Sequence, residues 1–108
     1  MKISYSIMTH NEGESLLKLL TFIAEHKDEE DEIVILDDYS EDEKTKEILD
    51  TMCSIHDITF EQRALMKDYA GQKNYLTRMC KGSYIINIDA DEIPHKLLMT
   101  NIKTILQS

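Results

Sequence analysis

Three carboxylates follow directly on an apolar stretch near the end of the chain. In SYIINIDADEIPH they are Asp89, Asp91 and Glu92, within four positions. Like charges this close repel one another unless water, cations or a metal ion offset the repulsion. Carboxylate oxygens are the ligands that Mg²⁺ and Mn²⁺ prefer. The pattern therefore indicates a divalent-metal site, or equally a following helix capped by Asp91 or Glu92 beside a solvated Asp89.

A second acidic pair, Asp37 and Asp38, ends the apolar run of EIVILDD. One interpretation is a pair of turn residues that close a strand, with Ser40 beginning a helix. Another is the acidic pair of a phospho-acceptor receiver domain. That hypothesis is disfavoured, because the pair ends the second strand and no strand after DADE supplies the required lysine.

Charge and glycine content restrict the kinds of ligand. The net charge of −9 argues against non-specific nucleic-acid binding, which depends on basic surfaces. The three glycines fit neither a dinucleotide fingerprint nor a P-loop, so a bound phosphate must be met by side chains or a metal. Residues 63–81 carry five Lys and Arg against Asp68, a local charge of +4. This segment suits an anion, although exposed helices often look the same.

Strands and helices alternate along the sequence. The patterns predict strands over 2–8, 32–38, 57–62 and 83–89 and helices over 14–27, from Ser40 or Asp42 onward, over 68–81 and after Pro94. This order predicts an α/β fold with a parallel, Rossmann-like sheet and helices on both faces, forming one domain or part of one over 1–108. Ligands of such sheets bind beyond the carboxyl ends of the strands, here THNE, DDYS and DADE.

Apolar spacing predicts which residues of the helices face the core. For the helix over 14–27 the predicted inward residues are Leu16, Leu17, Leu20, Ile23 and Ala24. For the second helix they are Ile48, Leu49, Met52 and Cys53. For the helix over 68–81, ended by Gly82, they are Ala70, Leu76, Met79 and Cys80. For the helix after Pro94 they are Leu97, Leu98, Ile102, Ile105 and Leu106.

Four motifs in this order resemble the N-terminal half of family 2, GT-A-type glycosyltransferases. They are SIMTHNEGESL, ILDDYSED, AGQKN and KGSYIINIDADE. Met8 stands where the family often has proline, and Tyr39 stands where it has glycine. The resemblance runs from Ile3 to about Leu98 and is nearest to transferases of the lipopolysaccharide-core type.

The resemblance implies a role for each matched residue. Thr9, Asn11 and Glu12 would lie beside the nucleotide, Asp38 would bind its base, with uracil favoured, and Asp37 would support the loop. Lys73 and Asn74 would face the phosphates or sugar of the donor. Asp89 would approach the ribose or donor sugar and, with Asp91, hold Mn²⁺ or Mg²⁺ against the diphosphate. Glu92 has a weaker claim as a supporting or helix-capping residue.

The implied activity is metal-dependent, inverting transfer from a nucleotide-diphosphate sugar, preferably a UDP-sugar, to a glycan or lipid-linked acceptor. Such enzymes carry their acceptor site and catalytic base after the Asp-x-Asp motif, and none of these 108 residues is a good candidate for that base. Three arrangements stay open: a donor-binding half or naturally short relative of a larger enzyme, a non-catalytic nucleotide- or metal-binding module, or a site that a second chain completes. No apolar run is long enough to span a bilayer, so a cytoplasmic location is expected, and oligomerisation is left open.

Overall fold

The computed structural model describes residues 1–90 and 102–103. Strands and helices alternate as β1 (Ile3–Thr9), α1 (Glu14–His26), β2 (Glu32–Asp37), α2 (Glu43–Ile55), β3 (Ile58–Gln62), α3 (Tyr69–Met79) and β4 (Tyr84–Asp89). Each observed bound lies within three residues of the bound predicted for it, and no end had been predicted for α2. Of the helix predicted after Pro94, Ile102 and Lys103 are helical, and the remainder lies outside the described residues. Within the described part, no helix has the length and apolar character to cross a membrane.

The four strands form one parallel sheet in the order β3-β2-β1-β4. β1 and β2 are central, and their apolar residues are almost completely buried. Among the strands of residues 1–90, β4 lies at the edge, and it exposes Tyr84 and Ile85 while burying Ile88. Since edge strands are covered less than central ones, the apolar run of β4 is less buried than its sequence alone indicates. The predicted parallel α/β sheet is confirmed.

The helices cover both faces of the sheet, as predicted. One face of β1 and β2 packs with α1 and α2 in the main core, which includes Ile7, Ile35 and Ile48. Val34 and Leu36 face the other way and pack against Leu76 of α3. Strand alternation produces this division, because successive side chains of β2 point to opposite faces.

The predicted inward face of α1 needs one correction. Leu16, Leu19, Leu20 and Ile23 are its fully buried residues, at the helical spacing i, i+3, i+4, i+7. Leu17 was predicted to face inward but is 36% exposed. It lies one position off this buried stripe, about 100° around the helix from Leu16.

The predicted inward face of α3 was wrong at one position as well. Ala70 is exposed, whereas Gln72 and Leu76 are buried. Apolar spacing favoured the alanine because a polar glutamine is seldom placed inside without partners. Gln72 has such partners in the loop that precedes the helix.

The start of α2 resolves the choice between two possible caps. Asp42 is the N-cap, and its carboxylate accepts hydrogen bonds from the backbone N and the hydroxyl of Thr45, at 2.9 and 2.8 Å. The hydroxyl of Thr45 and then its backbone N–H lower the pKa of Asp42 from its ordinary value. Ser40, the alternative, is hydrogen-bonded to Asp37 instead.

Gly82 was predicted to end α3, but in the structure it allows the chain before β4 to approach β1 closely. α3 stops at Met79, and Gly82 lies against β1, where its N donates to the Ser4 hydroxyl at 2.8 Å. A Cβ on Gly82 would stand 2.7 Å from Ser4 Oγ and 2.8 Å from the carbonyl oxygen of Lys2. Glycine is therefore required here by close approach of two backbones.

Replacing Gly82 with alanine should lower the free energy of unfolding by about 2 kcal/mol, because the new methyl group forces β4 away from β1. Urea denaturation measures the change. Ser83→Ala is the matched control, since Ser83 is exposed and should change stability by less than about 0.5 kcal/mol. Equal effects of the two substitutions would contradict the steric explanation.

Candidate functional site

The strand register aligns the polar ends of the strands along one edge of the sheet. Thr9 of β1 pairs with Asp37 of β2, which in turn pairs with Gln62 of β3. On the other side of β1, Met8 pairs with Asp89 of β4. The strand-end motifs of the sequence therefore meet at a single carboxyl edge, where ligands of parallel sheets bind.

Asp37 is fully buried and fixes the loops at this edge. Its carboxylate accepts from the backbone N and the hydroxyl of Ser40, at 2.9 and 2.5 Å, and from Gln62 Nε2 at 3.1 Å. Three donors around one buried carboxylate compensate for its loss of hydration. Asp37 thus joins the turn after β2 to the end of β3 and does not line the open part of the edge.

Asn11 joins the loop after β1 to the start of α2. Its backbone has a left-handed φ of 54°, which asparagine tolerates better than most residues. Its N donates to Ser40 Oγ at 2.9 Å, and its Oδ1 accepts from the N of Glu41 and of Asp42 at 2.8 and 2.9 Å. The amide oxygen is therefore occupied by backbone N–H groups, and its amide nitrogen points toward His10.

A cavity of about 150 Å³ opens between these loops and α3. The residues around it include Thr9, His10, Glu12, Asp38, Leu65 and Tyr69. The Thr9 hydroxyl is buried in a residue only 4% exposed, and it has no hydrogen-bond partner among the described residues. Strand alternation directs the Thr9 side chain to the α1 and α2 face, as for Ile7 of the same strand, so this hydroxyl lies away from the cavity.

Asp38 is the accessible member of the aspartate pair. Its side chain is 28% exposed, and its Oδ1 accepts from the backbone N of Leu65 at 2.9 Å. The two adjacent aspartates thus occupy opposite environments. Strand alternation explains this difference, since Asp37 points to the α1 and α2 face and Asp38 to the α3 face.

His10 belongs to the site, although the sequence interpretation assigned it no role. Its Nδ1 lies 2.5 Å from the carbonyl oxygen of Asp38, and its Nε2 lies 3.2 Å from Asn11 Nδ2. A carbonyl can only accept, so Nδ1 carries the proton and Nε2 accepts from the amide. The sequence did contain a signal for this role. His10 is the second residue of THNE, and the family motif that THNE resembles has tyrosine or histidine at that position.

A smaller cavity of about 80 Å³ adjoins the first at Met8. Lys73 of α3 and Asp89 of β4 border it, together with Asn87, which is hydrogen-bonded to Ser6. The structure therefore brings an ammonium and a carboxylate next to the first cavity. Asn74 follows Lys73 as an exposed residue of α3.

The predicted metal ligands fall partly within the described residues. Asp89 is exposed at the end of β4, and its carboxylate oxygens suit Mg²⁺ or Mn²⁺. Asp91 and Glu92 lie outside the described residues. Within 1–90 and 102–103 no group of three His, Cys, Asp or Glu residues is arranged to hold a metal ion.

Comparison with known proteins adds to this geometry. The model of the family described as glycosyl transferase family 2 matches residues 4–102. An uncharacterized glycosyltransferase of Rickettsia bellii (strain RML369-C) is 32% identical over 99% of this chain and 33% of its own length. A similarly named protein of Rickettsia prowazekii (strain Madrid E) is 30% identical over 99% of this chain and 34% of its own length. The chain thus spans about a third of these relatives.

Solved structures share the fold. S. aureus TarS 1-349 in complex with UDP has a TM-score of 0.81 and 21% identity, over 99% of this chain and 32% of that one. The mannosyltransferase PcManGT from Pyrobaculum calidifontis, in complex with GDP-Man and Mn²⁺, has a TM-score of 0.72 and 21% identity over 94% and 31%. From the extent of the family match, the chain belongs to glycosyl transferase family 2.

Proposed function

We propose that this chain binds a nucleotide-diphosphate sugar, preferably a UDP-sugar, as the donor-binding part of an inverting, metal-dependent glycosyltransferase. One observation carries the proposal. The partly exposed carboxylate of Asp38 borders a cavity at the carboxyl edge of a family 2 sheet, and one of its oxygens is fixed by the backbone N–H of Leu65. This is a hydrogen-bond acceptor placed for a ligand that offers a donor.

A pyrimidine base satisfies this arrangement. Uracil has one ring N–H, which can donate to the carboxylate of Asp38. TarS, which shares the fold, has been solved with UDP and with UDP-GlcNAc. Asn11 and Glu12, on the loop after β1, would hold the nucleotide from that side, with Asp37 supporting the neighbouring turn.

The second cavity is assigned to the diphosphate and sugar. Lys73 would offset phosphate charge there, with Asn74 beside it, and Asp89 would approach the ribose or sugar. Asp89 and Asp91 would hold Mn²⁺ or Mg²⁺, and PcManGT, which shares the fold, has been solved in complex with GDP-Man and Mn²⁺. The bound cation would stabilise the negative charge that develops on the leaving diphosphate oxygen.

We propose sugar transfer to an acceptor for the whole protein and not for this chain alone. Deprotonating an acceptor hydroxyl needs a general base, and we assign that base to no residue of this chain. A glycan or a lipid-linked glycan is the acceptor class that we propose. The alternative, a module that binds nucleotide without transferring sugar, uses the same cavity and differs only in lacking turnover.

Thermal unfolding with UDP, GDP and dTDP, each with and without Mn²⁺, tests the donor site. A nucleotide at about 100 times its Kd should stabilise the fold by about 2.7 kcal/mol. We expect this for UDP in the presence of Mn²⁺ and much less without the cation. No response to any nucleotide would refute the proposed function.

Thr9→Val is the matched control for the same experiment. Valine has nearly the shape of threonine but no hydroxyl, so the fold should be at least as stable as before. Because the Thr9 hydroxyl faces away from the cavity, UDP should stabilise the variant as much as it stabilises the unchanged protein. A weaker response to UDP would place the Thr9 hydroxyl in the site.

A further inference from the structure

Gln72 is a buried polar residue on α3 with two specific partners. The residue is 2% exposed, and its Nε2 donates to the carbonyl oxygen of Arg63 at 2.7 Å. In return, Nη1 of Arg63 donates to Gln72 Oε1 at 2.9 Å. The side-chain amide is thus used both as donor and as acceptor, a combination that few side chains of this length provide.

Arg63 is in turn fixed from other sides. Its backbone N donates to the carbonyl oxygen of Asp37 at 3.0 Å, which continues the pairing beyond the end of β3. Its guanidinium lies 5.5 Å from the ring centroid of Tyr75, and the Tyr75 hydroxyl donates to Glu61 at 2.6 Å. This hydrogen bond to Glu61 raises the pKa of Tyr75. The backbone at Arg63 is therefore a fixed point from which the next loop departs.

The loop over 63–68 adopts a conformation that its own residues do not favour. Met66 and Lys67 have φ values of 46° and 63°, in the left-handed region that non-glycine residues seldom occupy. Two hydrogen bonds support the loop: Leu65 N donates to Asp38 Oδ1 at 2.9 Å, and Asp68 N donates to Leu65 O at 2.8 Å. Because local preference works against this shape, tertiary contacts must maintain it.

Leu65 and Tyr69, at either end of this strained stretch, border the larger cavity together with Asp38 and Gln72 itself. A shift of the loop would move two walls of the cavity and would remove the backbone donor from Asp38. Through its hydrogen bonds with Arg63, Gln72 anchors the start of this loop to α3.

We propose that Gln72 is a positioning residue that sets the base-binding wall by holding the backbone at Arg63, and this inference rests on the proposed function. Its donated hydrogen bond keeps residues 63–65 in place, so that Leu65 N–H engages one oxygen of Asp38 and leaves the other for the base. The role requires an amide, because glutamate cannot donate to the Arg63 carbonyl and methionine can neither donate nor accept.

The test compares Gln72→Met and Gln72→Glu with Met79→Ala. Met79 is a half-buried residue of the same helix that packs with Leu76, away from the loop. All three substitutions lower stability, whereas only the two at Gln72 should release the loop. Both Gln72 variants should bind UDP about tenfold more weakly, the expected loss for one buried hydrogen bond. Mn²⁺-pyrophosphate, which lacks the base, should bind all variants equally.

Amide hydrogen exchange gives a readout that needs no ligand. The Leu65 N–H should exchange faster in both Gln72 variants and keep its protection in Met79→Ala, beyond what the change in global stability explains. Unchanged protection of Leu65 would overturn the inference, as would UDP affinity equal to that of Met79→Ala. If the unaltered protein bound no UDP, the proposed function would fail, and faster Leu65 exchange would still show that Gln72 holds the loop.

Discussion

Asp37→Ala is expected to lower the free energy of unfolding by about 3 kcal/mol, since it leaves three donors at a buried site without an acceptor. Those donors are the N and hydroxyl of Ser40 and the amide of Gln62. Their loss detaches the turn after β2 from β3. Urea denaturation followed by circular dichroism measures the change.

Asp38→Ala is the matched control at the next position. Asp38 is partly exposed, and its carboxylate accepts one backbone hydrogen bond, so its removal should lower stability by only about 1 kcal/mol. In contrast, UDP affinity should fall by at least about tenfold, because the acceptor for the base is gone. Equal stability losses at the two aspartates would contradict the conclusion that Asp37 holds the loops together while Asp38 mainly binds the ligand.

Asp91→Ala is expected to reduce Mn²⁺-dependent UDP affinity by at least about a hundredfold, since removing a group that only orients a metal ligand already costs up to that much. The proposal gives Asp91 no part in the packed core, so the apparent melting temperature without ligand should stay nearly constant. Calorimetric titration of UDP, with and without Mn²⁺, measures the effect. The dependence on Mn²⁺ should disappear, while weak cation-independent binding remains.

Glu92→Ala distinguishes the metal site from the helix cap that the same residues could form. A capping carboxylate would lose about 1 kcal/mol of stability on removal and leave the Mn²⁺ response intact. If Asp91→Ala showed this behaviour instead, the acidic cluster would be a helix terminus and the metal proposal would be wrong.

The sequence predicted the fold because its central strands are unambiguous. The run around Ile35 has four consecutive apolar residues and no polar alternation, so helices had to cover both of its faces. The helical spacing of the apolar residues Ile48, Leu49 and Met52 likewise predicted the buried face of α2 correctly. Motif order then placed Thr9, Asp38, Lys73 and Asp89 at strand ends or beside them, and the structure brings them to one edge.

The burial of Gln72 and the orientation of His10 could not be predicted, because each depends on a hydrogen-bond partner elsewhere in the sequence. Gln72 is buried because Arg63, nine residues earlier, offers both a carbonyl and a guanidinium. His10 is oriented by Asp38, on a different strand. Neither interaction follows from periodicity, which distinguishes apolar from polar residues but cannot identify a polar residue that has found a complementary group.

Tyr39 stands in the turn after β2 at the position where the related motif has glycine. Its φ of 41° is one that glycine adopts without difficulty, and its side chain is exposed. The hydrogen bonds from Ser40 to Asp37, and not the Tyr39 ring, hold the backbone in this conformation. Exchange of the ring for another side chain should therefore leave the turn unchanged, so the shape of this loop is independent of the group displayed on it.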